Sequence, residues 1–327
     1  MRQNPHLTTI VVMAALALLL SGCGQPAASP PPPTDTPVAL ATERSQRIQR
    51  VESGLIPLTE DREVRWGTRD GIAERMAFYH VPGIGIAVIN DYQIDWAKGY
   101  GVLEAGGDER VTPDTLFHAC SVVKILSAAA ALTLVERGLL DLDEDVNDRL
   151  VSWRIPESEF TVQEKVTLRR LLSHSSGLTD GWSEGEGQAV ECCYAVEGQA
   201  PTVTIQEMLE ATPVTGLRHP ARVTMLPGTK YRYANLGYGI VQLMIEDVTQ
   251  EPFAPFMRQT VLDPLGMTSS TFEQPLPMDL RARATTEHDA SGRPFEGKRH
   301  HFPVLAAGGL WTTPSDLARF AIEVMRA

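Results

Sequence analysis

The chain is short of cysteine, of positive charge and of any apolar run long enough to cross a bilayer. Four cysteines in 327 residues, two of them adjacent at Cys192 and Cys193, do not make a disulfide framework. A bridge from Cys120 to one of that pair stays open in an oxidising compartment. Basic residues number 29 against 41 acidic ones, a net charge of -12, which argues against nucleic acid or an anionic lipid surface as partner. The apolar run from Ile10 to Leu20 is too short to span hydrocarbon. His300-His301 beside Arg299 has no carboxylate or further histidine at ligand spacing, so a metal site has little support. Gly83-Ile84-Gly85 precedes an expected strand instead of following one, which excludes a dinucleotide loop. No internal repeat is visible.

What is present begins with a leader. Arg2 and the run ending at Leu20 have the form of a secretory signal. The run closes in Leu20-Ser21-Gly22-Cys23, which resembles the bacterial lipobox. That resemblance implies an exported protein, lipidated at Cys23 and held on the outer face of the cytoplasmic membrane or at the outer membrane. Gln25 to Ala41 is rich in Pro, Ala and Thr and reads as an extended tether. We therefore expect a signal peptide over 1–23, a tether and lead-in over 24–60, and one folded domain over 61–327. At 43% hydrophobic, the chain is long enough to bury a sizeable core.

The sequence is organised around Phe117 to Gly138. Ser121 is a helix-start residue, Ala and Leu fill the interior, and Gly138 stands where a left-handed stop belongs, so a helix is expected from Ser121 to about Arg137. It is apolar almost all round and should be buried on every side. Lys124 does not fit that surface: a buried ammonium costs several kcal/mol unless it is paired or loses its proton. Ser121 lies one turn earlier on the same face, where a neutral lysine amine could take its proton and arm it as a nucleophile. The competing reading is a lysine that snorkels off the helix rim. The spacing of two residues does not choose between them.

Along the rest of the chain, helical spacing is expected over Thr68–His80, and a hairpin over Ile84–Ile89 and Gln93–Lys98 turning at Asn90-Asp91. Short helices are expected over Val166–Leu172 and Thr204–Ala211, and longer ones over Leu236–Thr249 and Pro252–Val261. Asp180 to Gln199 reads as a long loop at a pocket edge. Leu305–Trp311 reads as an apolar strand, and Thr313-Pro314-Ser315-Asp316 opens a last helix.

Several of these segments, in order from Met76 to Ala327, resemble the β-lactamase-related serine hydrolases, a group that includes class C β-lactamases, D-alanyl-D-alanine carboxypeptidases and related esterases. They are Pro82-Gly83 with its hairpin, Ser121-Val122-Val123-Lys124, Leu171 to Leu178, Tyr233-Ala234-Asn235, Pro264-Leu265-Gly266-Met267, and Gly308-Gly309-Leu310 with Asp316-Leu317. The resemblance implies an α/β (α+β) fold in which an antiparallel sheet flanked by helices joins a mostly helical subdomain. It also implies Ser121 as nucleophile, Lys124 and Tyr233 as proton carriers, and Asn235 as a substrate-binding residue. The substrate would be a small molecule or peptide, with no metal or organic cofactor. The His174-Ser175-Ser176-Gly177 segment is then a structural corner and not part of a catalytic triad. A third motif, Lys or His followed by a small residue and Gly, is expected on a strand beyond the helix that opens at Pro314, and no candidate for it occurs after Ala306. The alternative is accordingly a surface-tethered binding protein of the same fold that no longer turns over.

Overall fold

The computed structural model describes residues 37–57, 68–179, 195–196 and 203–327 apart from 216 and 218. The chain divides after Glu52 into two compact units. The first contains helix α1 (Pro37–Glu52), which begins within the stretch read from composition as extended. Proline at the first helical position fixes φ and brings no unmatched N–H, so it opens a helix as readily as it stiffens a tether. Cys23 and the rest of the leader lie outside the described residues.

The second unit starts with α2 (Ile72–Phe78) and the antiparallel hairpin of β1 (Gly83–Asn90) and β2 (Gln93–Gly101). Asn90 pairs with Gln93, which puts the turn at Asp91-Tyr92, one residue later than expected. Both residues have positive φ, 49° and 59°, the conformation a two-residue turn needs to follow the strands' right-handed twist. Strand β3 (Phe117–His118) leads through a tight 3-10 turn, Cys120–Val122, into α3 (Val123–Glu136). Gly138, with φ at 71°, stops that helix as expected. Ser121 does not cap it, because no side chain caps its first turn. Nor is α3 buried on every side: Val123, Lys124, Leu126, Ser127, Ala130, Ala131 and Leu134 face the core while Val122, Ile125 and Leu132 are exposed.

There follow α4 (Leu168–Leu172), β4 (Ala195–Val196), α5 (Ile205–Leu209), α6 (Asn235–Thr249), α7 (Phe253–Met257) and α8 (Met278–Arg281), then β5 (His300–His301), α9 (Leu305–Gly308), β6 (Trp311–Thr312) and α10 (Pro314–Arg326). Thr167, Thr204 and Thr313 cap α4, α5 and α10 through their hydroxyls. Helix α6 is the axis of the helical region, buried continuously from Leu236 to Ile245 and packed against α3, α4, α5, α7 and α9. Its core is completed by Leu126, Leu134, Leu168, Phe253 and Phe272. Helix α10 packs on the hairpin, where Gly85 makes room for it: a Cβ there would lie 2.6 Å from the Pro314 ring. Among the described residues the sheets are two-stranded and antiparallel, β1 with β2, β3 with β6 and β4 with β5.

The expected strand over Leu305–Trp311 is instead α9 followed by β6. A short apolar run carries no periodicity that separates helix from strand, and here distant side chains decide. Gln242 accepts the Ala306 N–H at 3.1 Å, and Gln274 donates to the Gly309 carbonyl at 2.9 Å. Of the expected loop over Asp180–Gln199, with Cys192 and Cys193, only Ala195–Val196 lies within the described residues. No helix among the described residues is long and apolar enough to cross a membrane.

Candidate active site

Cys120 adopts φ of 45°, a left-handed conformation uncommon outside glycine, and so turns the chain from β3 into α3 with Ser121 exposed at the corner. One turn on, Lys124 is only 6% exposed and does not reach bulk solvent. Its Nζ lies 3.0 Å from Ser121 Oγ, 2.9 Å from Asn235 Oδ1 and 2.7 Å from the Ala307 carbonyl. Asn235 is the first residue of α6, and Tyr233, two residues earlier, puts its hydroxyl 2.7 Å from Ser121 Oγ on the other side. The rings of Tyr233 and Tyr238 stand 4.9 and 5.5 Å from Nζ. The structure thus brings together Ser121, Lys124, Tyr233 and Asn235.

Counting donors shows what this arrangement can do. An amide oxygen and a backbone carbonyl can only accept, so Asn235 and Ala307 each hold one Lys124 N–H whatever its charge. The third position points at Ser121 Oγ. There the ammonium presents an N–H and the amine presents a lone pair, in line to receive the serine proton.

The surrounding aromatic groups divide by role. Tyr238 is pushed up to about 12 by burial and by Tyr233 beside it, and its hydroxyl donates to the Leu172 carbonyl at 3.2 Å. It stays a phenol and braces α4. His174, with φ of 54°, accepts the Ala234 N–H on Nδ1 at 3.2 Å, and its ring lies 4.4 Å from that of Tyr233. Burial, and secondarily the charge of Lys124, hold it below the ordinary imidazole value, which keeps the accepting nitrogen unprotonated. Its position is that of a structural corner supporting Tyr233.

The sequence reading did not include the Ala307 carbonyl or the groups that place it. Ser127 donates to the Ala306 carbonyl at 3.0 Å, and Gln242 holds the N–H of the same residue. Gln242 is a polar residue inside the apolar run Ile240-Val241-Gln242-Leu243-Met244, the same kind of misfit that marks Lys124. A backbone carbonyl leaves no such mark. Among the described residues, no group of three or more His, Cys, Asp or Glu could hold a metal ion.

The family model described as Beta-lactamase matches residues 69–327. The chain belongs to the beta-lactamase family. Protein flp of Staphylococcus aureus (strain N315) is 25% identical over 238 residues, 72% of this chain and 42% of that protein. Penicillin-binding protein 4 of Amycolatopsis lactamdurans is 30% identical over 211 residues, 64% of this chain and 49% of that one. The octameric penicillin-binding protein homologue from Pyrococcus abyssi matches with a TM-score of 0.60 at 26% identity, over 78% of this chain and 55% of that chain. The chain spans less than half the length of these two curated relatives. The part that matches the beta-lactamase family contains all four clustered residues and leaves α1 outside it.

Proposed function

We propose that the chain is an exported, lipid-anchored serine hydrolase that forms an acyl-enzyme at Ser121 on an amide, lactam or ester carbonyl. One observation carries the reading: Ser121 Oγ lies between two proton carriers, Lys124 Nζ at 3.0 Å and Tyr233 Oη at 2.7 Å. As Oγ bonds to the carbonyl carbon, its proton passes to the Lys124 amine, and the ammonium formed keeps its partners at Asn235 and Ala307. When the tetrahedral intermediate collapses, the leaving nitrogen or oxygen takes a proton relayed through Tyr233. Water then adds to the acyl carbon and releases Ser121. The names of two relatives, a penicillin-binding protein and a penicillin-binding protein homologue, support a lactam as the electrophile. Export and anchoring rest on the lipobox-like sequence ending at Cys23.

Labelling tests this directly. The protein should take up a fluorophosphonate or a fluorescent penicillin, peptide mapping should place the adduct on Ser121, and Ser121→Ala should abolish it. A chain that takes up neither probe would be a binding protein of the same fold. Incorporation of labelled palmitate that is lost in Cys23→Ala tests the anchor.

A further inference from the structure

Immediately before the proposed nucleophile lies a second nucleophilic group that the acyl-transfer reading does not use. Cys120 is unbridged and exposed. Its Sγ lies 3.8 Å from His118 Nδ1, and that nitrogen lies 3.2 Å from Glu287 Oε1. The other Glu287 oxygen is 2.5 Å from His300 Nδ1. The His118 side chain is only 5% exposed, with its ring stacked on Trp311 at 5.0 Å and tilted against Phe302 at 4.4 Å. Its Nε2 is buried without a hydrogen-bond partner, so all the polar contacts of the ring gather at Nδ1, between carboxylate and sulfur. Burial works against charging this ring, but its contacts with Cys120 and Glu287 outweigh burial and hold it up to about 9. Glu287 goes the other way: burial would raise it, and His118 and His300 bring it down to about 2. An imidazolium fixed by a carboxylate therefore stands behind an exposed thiol. An exposed cysteine sulfur beside an imidazole is the setting in which thiols react.

We propose that Cys120 is a modification site for low-molecular-weight disulfides, and that the mixed disulfide formed there covers the mouth of the Ser121 site. The Cys120 thiol gives up its proton to solvent, and the thiolate attacks one sulfur of the reagent, RS–SR. The reagent's S–S bond breaks, RS⁻ leaves and takes a proton back from solvent, and Cys120 ends as a mixed disulfide that a second thiol reverses. The oxidising equivalent is the reagent's own disulfide. Chemistry at Cys120 stands independently of Ser121, whereas the blocking effect rests on Ser121 being the nucleophile proposed above.

The test uses the full chain and glutathione disulfide, with mass-spectrometric mapping of each cysteine and, in parallel, fluorophosphonate labelling of Ser121. Cys120 should react about tenfold or more faster than the same cysteine in a synthetic peptide spanning Thr115 to Ser127, which lacks Glu287. Adduct on Cys120 should suppress labelling of Ser121, and dithiothreitol should restore it. Cys120→Ser should label normally and ignore the disulfide, and His118→Gln should bring the rate down to that of the peptide. A Cys120 that reacts no faster than the peptide overturns the proposal in the wild-type protein, whatever the fate of the variants. Modified Cys120 with undiminished labelling of Ser121 overturns the blocking effect. Absence of labelling before any treatment overturns the hydrolase reading alone, since the thiol rates are measured separately.

Discussion

Two tyrosines flank Lys124, and the structure gives them different work. Tyr233 touches Ser121 Oγ, while the hydroxyl of Tyr238 is committed to the Leu172 carbonyl. Removing each hydroxyl should separate these roles. Tyr233→Phe takes away the proposed proton relay, and labelling or turnover should fall by about 10²-fold or more with the melting temperature nearly unchanged. Tyr238→Phe breaks one half-buried hydrogen bond and should cost about 1 kcal/mol of stability while leaving the labelling rate within a few-fold of wild type. Rates by gel fluorescence and melting by calorimetry check both. Lys124→Met should do both kinds of damage. It removes the proposed base, for about 10²–10⁴ in rate, and takes the lysine N–H groups away from the Asn235 and Ala307 oxygens, for about 1–3 kcal/mol. Retention of substantial labelling in Lys124→Met would remove the lysine from the mechanism.

At the scale of elements, the placement of Lys124 depends on α9, a single turn too short to stand by its own hydrogen bonds. Three side chains hold it: Gln242 at the Ala306 N–H, Ser127 at the Ala306 carbonyl and Lys124 at the Ala307 carbonyl. Gln242→Leu leaves the Ala306 N–H buried and unmatched, which should cost about 1–3 kcal/mol in denaturant unfolding and also slow the labelling of Ser121. Loss of stability without loss of rate would mean that α9 does not tune the site. The same element marks where sequence reading stops. The hairpin, α3, α6 and α10 were legible because local signals carried them: alternation about a turn, a glycine stop, helical spacing and a Thr-Pro opening. The run Leu305 to Trp311 reads as a strand and forms a helical turn because α3 and α6, far from it in sequence, impose that turn. Lys124 and Tyr233 could be picked out by a charge in a greasy helix and by motif order. The carbonyl of Ala307 has no side-chain signature, and composition does not reveal which face of α3 is covered.

Across the whole molecule, the His118–Glu287 pair ties β3 to a segment far along the chain, and the neighbouring backbone repeats the connection. Leu116 N–H donates to the Arg283 carbonyl, Thr285 N–H to the Leu116 carbonyl and Thr286 N–H to the Leu103 carbonyl. Nearby, the buried guanidinium of Arg299 donates to the carbonyls of Arg281, Ala284 and Thr285. The pair therefore reports on how the hairpin end, β3 and the 281–300 region hold together, and its pH dependence has a defined sign. Against burial, contact with Cys120 first and with Glu287 second raises His118 from 6.5 to about 9, so the contribution of the charged ring with these two partners is complete below 6.5 and is lost as pH rises through 9. Glu287 is lowered from 4.5 to about 2, so its contribution is complete above 4.5 and is lost as pH falls through 2. Stability from this pair should be greatest between pH 4.5 and 6.5 and decline on both sides. Breaking a buried pair by removing one partner costs about 3–5 kcal/mol, so Glu287→Gln at pH 6 should melt at least several degrees lower than wild type. The decline above pH 6.5 should vanish in His118→Gln and shrink in Glu287→Gln, where Cys120 still faces the ring. If wild type and both variants lose stability in parallel between pH 6.5 and 9.5, the imidazolium is not what joins these segments, and their cohesion lies in the backbone bonds and the Arg299 fork alone.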